Sequence, residues 1–407
     1  MDDPRQRAKE ELTCLLEDRL DFKGAESLRL VGSLAKTERI ITQEYAERTL
    51  IELIQNARDA ALLEDLDAKD CEVLIWIGAR DEAGRGKLVV ANRGSPITWE
   101  TVRSSLSQLG ESTKVLDQNA GAIGHKGVGF KSVLELGPVV EVYSGPHDAG
   151  FVVQVRFDVV TARDRCVRVC GAVWDELADI GPHERAIVEG MRRADDPMFP
   201  GLYFPLPHYD ADTDDLAGHR NHQDARFDTL ICVPDADLEM VEKQFAELQP
   251  VTLLLLGHAP RICLDGPGAT RTVKEVVVGT AEHRADRVTV ATASLPGTEE
   301  RWLLFRRTVD KAEADAGKAS ELCICVPLHP EAGHQNLHLY FPTAIGSGLP
   351  LLMHGFFKVD ASRKHFSSKP QFAAQNESVR RELAAFAKDI VWPTVFTQAG
   401  THEGVDG

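Results

Sequence analysis

The feature that most constrains this chain is residues 45–62, YAERTLIELIQNARDAAL. Turned at about 100° per residue, it divides into two faces. Ala46, Leu50, Leu53, Ile54, Ala57 and Ala61 share one face, while Glu52, Asn56 and Asp59, spaced i, i+4 and i+7, form a row on the other. The pattern predicts an amphipathic helix with its apolar face committed to a core. The polar row has two readings. It is a solvated face, or it is a device in which two carboxylates and an amide hold a metal and a water together.

The flanking chain sets that helix in an α+β context. Residues 1–44 read as a helix, a loop and a second helix, with Leu12, Leu15, Leu16 and Leu20 at helical spacing. This arm packs on its own domain or reaches to a partner subunit; both remain open. CEVLIWIGAR at 71–80 alternates as a half-buried strand does, and KLVVAN at 87–92 returns to make a hairpin. The breaker-rich Asn92-Arg93-Gly94-Ser95-Pro96 follows, then Thr98, placed to cap a helix. VVEVYS and FVVQVRF predict a second hairpin. Between the hairpins lies IGHKGVGFKSV at 123–133, with Gly124, Gly127 and Gly129 close together. Such glycines serve as plain turns or let backbone N–H groups face an anion. FKSVLEL can start a helix.

Residues 158–200 show no clear period, and GLYFPLP at 201–207 reads as a strand closing the first domain. His208–Asp224 is acidic and nearly without apolar residues, as a linker is; His208, His219 and His222 there lack the spacing of a metal site. From residue 226 a second α/β domain is expected: strand FDTLICVP, helix LEMVEKQFAEL, strand VTLLLLGH, six more short strands and a helix over 376–397. The expected division is 1–225 and 226–407, without internal repeats.

With 407 residues and 43% hydrophobic content, the chain can bury a core without staples. No run reaches the roughly 20 apolar residues of a membrane span, and the charged N-terminus MDDPRQRAKEEL is unlike a signal peptide. A cytoplasmic location and no membrane partner are expected. The net charge of −17 argues against a DNA-coating surface. The eight cysteines make no paired C-x-x-C zinc pattern, and Cys323 and Cys325 read as buried thiols.

Three of these stretches together resemble the GHKL ATPase superfamily, which includes the ninety-kilodalton heat-shock chaperone, MutL, gyrase B subunits, histidine kinases and MORC proteins. ELIQNARDA (52–60) resembles its first box, NRGSPIT (92–98) stands where the second belongs, and IGHKGVGFKS (123–132) is similar to the third, preceded by the lid-like QLGESTK (108–114). The sacsin N-terminal ATP-binding type, with its altered second box, is the nearest by look. GLPLLMHGFFKVDASRKHF (348–366) resembles the chaperone's middle-domain segment, whose Ser-Arg pair maps onto Ser362-Arg363; the plainer reading is a surface arginine in a basic loop.

The resemblance implies a Bergerat fold, a two-layer α/β sandwich that binds ATP, followed by a transducer-like α/β domain. It implies Glu52 as general base, Asn56 as ligand to Mg²⁺, and Asp59 ordering water. It implies Asn92 and Gly94 at the adenine, and Thr113, Lys114, Gly124, His125, Lys126, Gly127, Val128, Gly129 and Phe130 around the phosphates. Arg363 would act as a finger on the transferring phosphoryl group. The chain departs from the family in two places: Asn92 replaces the family's Asp, and Pro96 replaces its second glycine. The activity expected is slow, Mg²⁺-dependent ATP hydrolysis driving a clamp or ATP-favoured homodimer, in which residues 1–44 could be exchanged, acting on a protein client or in genome defence. The alternatives are a non-hydrolysing ATP sensor and a MORC- or MutL-like DNA-handling ATPase. A histidine kinase fits poorly, because no phosphoacceptor helix precedes the ATP domain.

Overall fold

The computed structural model describes residues 3–21, 24–44, 48–67, 70–108, 128–177, 180–193, 199–257, 261–284, 287–310, 319–328, 335–339, 341–359, 365–367 and 370–402. The described residues form two compact α+β units. The first takes the chain up to Glu247 and returns for Arg261–Val273; the second holds residues 248–257 and those from Lys274 onward.

In the first unit α1 (Pro4–Leu20), α2 (Ala25–Glu44) and α3 (Thr49–Leu63) lead into a hairpin of β1 (Glu72–Ile77) and β2 (Arg85–Asn92). Then come α4 (Trp99–Thr101), continued by a π-turn over Val102–Leu106, and α5 (Val128–Lys131), continued by a 3₁₀ turn over Ser132–Glu135. The second hairpin is β3 (Val139–Ser144) and β4 (Val153–Asp158), as its alternation predicts. After it run α6 (Val159–Glu176), α7 (Pro182–Arg192), β5 (Leu206–Pro207), α8 (Asp214–Arg220), β6 (Thr229–Asp237), α9 (Leu238–Glu247), β7 (Arg261–Asp265) and β8 (Thr272–Glu275). The sheet order is β5-β4-β3-β6-β2-β1-β7-β8. β7 runs parallel to β1, whereas β2, β3 and β6 pair antiparallel.

Three expectations need correcting here. First, the boundary at 225/226 cuts through this sheet: β6 lies in its middle, between β3 and β2. Second, residues 208–224 are not a bare linker. α8 lies over β2, and its Leu216 joins Leu74, Val89, Phe227, Leu230 and Cys232 in one buried cluster. His219 of α8 packs at a tilt against Trp76, their ring centroids 4.3 Å apart and their planes at 53°. Third, 158–200 is largely helical. α6 is capped by Asp158, whose carboxylate accepts from Thr161 N at 2.9 Å. Ala162, Cys166, Cys170 and Trp174 line its buried side. They pack with Leu16, Leu20, Leu28 and Val31 of α1 and α2 and with Ile187 and Met191 of α7. The N-terminal arm therefore packs on its own unit.

The second unit opens with α10 (Leu253–Leu256), where the sequence suggests a strand. A run of four leucines carries no alternation, and leucine favours helix; Gly257, at φ +68°, ends it. Its sheet is built from β9 (Val277–Val278), β10 (Glu282–Arg284), β11 (Val288–Ser294), β12 (Arg301–Asp310), β13 (Ala319–Pro327), β14 (Asn336–Leu339), β15 (Phe341–Gly346) and β16 (Leu352–His354). It runs β10-β11-β12-β13-β16-β14-β15, with β9 beside β11. The closing helices α11 (Pro370–Phe386) and α12 (Trp392–His402) are joined by a π-turn over Ala387–Val391. Val379, Leu383, Phe386 and Val391 of that segment pack on Phe305, Leu322 and Ile324. Cys323 and Cys325 are buried on the other side of β13, their sulfurs 3.8 Å apart. Among the described residues no helix is long and apolar enough to cross a membrane.

Candidate functional site

The first-box helix α3 begins at Thr49, with Arg48 as its N-cap residue. Leu50, Leu53, Ile54, Ala57 and Ala61 are buried, as the apolar stripe predicts. The Leu50 N–H, one of the donors a helix start leaves over, is taken by Gln244 Oε1 of α9 at 2.8 Å.

Both ends of α3 are fastened to the other motif stretches. At the N-terminal end, the Thr49 hydroxyl lies 3.0 Å from the Ser132 carbonyl and 3.0 Å from the Glu135 carboxylate. Toward the C-terminal end, Ser95 N donates to Ala60 O at 2.9 Å. Glu52, Gln55, Asn56 and Asp59 lie between the two attachments. Glu52 is only 5% exposed and stands 3.8 Å from Arg48 Nη2. Asn56 is exposed. Asp59 pairs with Arg58 at 3.0 Å. Gln55 was not singled out from sequence. It is completely buried, and neither of its amide atoms has a hydrogen-bond partner among the described residues.

The second-box loop leaves β2 at Asn92, which is buried and faces Val73 on one side and Thr229 on the other. Its Nδ2 donates to Arg93 O at 3.3 Å, so the side-chain oxygen is left as the acceptor. Asp228 ties the loop to the β3–β4 hairpin: its carboxylate accepts from Gly94 N and from His147 N, each at 3.0 Å. Ser144 Oγ accepts from Ile97 N at 2.8 Å and lies 2.6 Å from Thr229 Oγ1. Asp228, Ser144 and Thr229 are further residues the sequence reading missed. It sought the closing strand at 201–207, which supplies only the two-residue edge strand β5. The strand beside Asn92 is β6, which sets Thr229 opposite it in register.

Of the third-box residues, Val128 and Gly129 start α5. Phe130 is buried with its ring centroid 5.9 Å from that of Phe157. Its side chain belongs to the core, so a ligand would meet only its backbone. Lys131 is completely buried, and burial pulls its amine down to about 8 against the opposing influence of Glu38. Glu38, on α2, accepts from Gly201 N at 2.8 Å and Leu202 N at 2.9 Å. Burial nevertheless pushes its carboxyl up to about 7.

Thr113, Lys114, Gly124, His125, Lys126, Gly127 and the Ser362-Arg363 pair lie outside the described residues. Among the described residues no three His, Cys, Asp or Glu side chains are grouped to hold a metal. Magnesium is commonly held by one or two carboxylates together with phosphates and waters; Asn56 would offer it a neutral amide oxygen instead. A cavity of about 290 Å³ opens elsewhere in the first unit, among Arg5, Phe151, Gln154 and Arg220, and no motif residue lines it. No protein-family model matches this chain, and no curated protein matches it.

Proposed function

We propose that the first unit binds ATP with Mg²⁺ and hydrolyses it slowly, as a GHKL-type ATPase working in the cytosol. The observation that carries this is the attachment of two motif stretches, distant in sequence, to opposite ends of α3: Ser95 at Ala60, and Ser132 at Thr49. A helix fastened at both ends holds the row between them in fixed geometry, which positioning catalysis requires.

In this reading Glu52 orients the attacking water and takes its proton; a base so placed contributes roughly 10²–10⁴ in rate. Its near-complete burial limits competing solvent. Asn56 holds Mg²⁺ through its amide oxygen, and the ion supplies charge neutralisation at the phosphate oxygens. Asp59 orders water beside it. The Asn92 side-chain oxygen accepts from the adenine amino group, with Thr229 next to it in register. ATP favours association of two copies, and turnover releases them.

Isothermal titration with ATP and Mg²⁺ tests this. Saturable binding that Asn56→Ala weakens is expected, and a chain that takes up no ATP would overturn the reading. A second reading, an ATP sensor without turnover, is favoured by Asn92 and Pro96, where the family has Asp and Gly. Tight binding with no phosphate release above background would select it.

A further inference from the structure

The cavity beside α8 brings together polar groups that the fold buries and leaves unmet. Its lining comes from three parts of the first unit: Arg5 at the start of α1, Phe151 and Gln154 of the β3–β4 hairpin, and Asp214 and Arg220 of α8. At about 290 Å³ it stands at the small end of ligand sites, which run from roughly 300 to 1,000 Å³. That size suits a metabolite of few atoms. Gln154 faces α8 by register: it stands opposite Tyr143, cross-strand partners share a face, and Tyr143 packs in the cluster that holds Leu216 of α8. Gln154 is 2% exposed. Its Nε2 donates to Phe151 O at 3.2 Å, which fixes the amide's orientation, and its Oε1 has no partner among the described residues. The unmet atom is therefore an acceptor.

Arg220 supplies the charge. It is 6% exposed, and its guanidinium carbon lies 4.4 Å from the Phe151 ring centroid. Its Nε donates to Phe227 O at 3.2 Å, and its Nη2 to Gly145 O and Pro146 O at 2.8 Å each. All three acceptors are neutral, and Nη1 donates to no described residue. Asp228 and Asp148 act on the guanidinium only through space, and the Asp228 carboxylate is already held by the Gly94 and His147 amides. The fold thus sets a cation in the cavity wall without the carboxylate that would pair with it, an arrangement that an arriving anion relieves. Arg5, exposed, adds a second guanidinium to the lining; Asp214, exposed as well, adds a carboxylate acceptor.

We propose that this cavity binds a small organic anion carrying its own hydroxyl or amine donor, with the anionic group against Arg220 and Arg5 and the donor on Gln154 Oε1. A plain inorganic anion would leave Gln154 unmet, and a neutral polyol would leave Arg220 unmet. Guanidinium groups suit the anionic end, because their planar fork matches a carboxylate or a phosphate. The site is separate from the ATP reading and stands or falls without it: no residue of the three boxes lines the cavity.

The test is saturation-transfer NMR and titration calorimetry with two pairs of probes. Glycerol 3-phosphate is set against propyl phosphate, and malate against succinate; the second of each pair lacks the hydroxyl. Glycerol, which lacks the anion, is the fifth probe. At least one pair should bind saturably, its hydroxyl member roughly 3- to 10-fold more tightly, and the pair that binds tells phosphate from carboxylate. Gln154→Met should erase that preference and leave the affinity of the member without the hydroxyl unchanged. No saturable binding of either pair at millimolar concentration overturns the proposal. So does glycerol binding as well as the anions, or a preference that survives Gln154→Met. Should Gln154→Met fail to fold, Arg5→Ala decides, since Arg5 is exposed: anion affinity must fall several-fold, and an unchanged value sinks the proposal.

Discussion

A methyl group at Gly94 would stand 2.4 Å from the Ala60 carbonyl carbon and 2.5 Å from the Ala61 nitrogen. The second-box loop thus lies directly on the backbone of α3, and only a residue without a side chain permits it. Gly94 also sits at φ +132°, where L-residues are strained. Gly94→Ala should cost several kcal/mol, because neither backbone can yield without breaking the Ser95 N to Ala60 O bond. The measurement is a urea denaturation midpoint together with ATP affinity, and both should fall. A variant with the wild-type midpoint would show that the loop is not seated on α3.

Glu38 predicts a pH dependence of defined sign. Its carboxyl is raised from 4.5 to about 7, chiefly by burial, so the folded state holds the proton more tightly than the unfolded one. This contribution to stability is complete below about pH 4.5 and is lost as pH rises through 7. The gap is worth about 3 kcal/mol. Lys131, the charged group facing it, works in the next window: lowered from 10.5 to about 8, it gives stability back as pH rises from 8. Glu38→Gln should remove the decline between pH 4.5 and 7. Denaturation of both proteins at pH 5, 6 and 7 checks this, and parallel profiles would refute it.

These two residues show where sequence was readable and where it was not. The Leu50–Ala61 stripe, both hairpins and the Thr98 cap were visible, because period and turn chemistry are local. α6 was missed although Ala162, Cys166, Cys170 and Trp174 recur every fourth residue. A face made of small, sulfur and indole side chains carries little weight in an aliphatic pattern. The place of β6 in the first sheet is a long-range pairing, and no local pattern distinguishes Thr229–Asp237 from a strand of the second unit. Nor does a lysine or glutamine announce burial. The interior positions of Lys131, Gln55 and Glu38 come from the elements packed around them, α2 and α3 among them.

In the proposed ATPase reading, Glu52 separates binding from turnover. It is carried on a helix whose fold depends on Leu50, Ile54 and Ala57, so truncating its carboxylate leaves the scaffold in place. Glu52→Ala should bind ATP within a few-fold of wild type and release phosphate about 10²- to 10⁴-fold more slowly. Single-turnover phosphate release gives the number. Equal rates in the two proteins would remove Glu52 as the base, whatever their affinities.

Gln55 makes the last prediction, in which stability and function move in opposite directions. It lies between Glu52 and Asp59 on α3, with no exposed surface and, among the described residues, no partner for either amide atom. An amide buried in that state costs about 1–3 kcal/mol. Methionine has nearly the same length and volume without the polar atoms, so Gln55→Met should raise the denaturation midpoint. If the amide is kept for a hydrogen bond to the nucleotide or to the water beside Glu52, the same substitution lowers ATP affinity or kcat. Both quantities are to be measured on one preparation. A more stable protein with unchanged affinity and turnover would leave Gln55 with no part in the site, and a less stable one would mean that its amide has a partner within the fold.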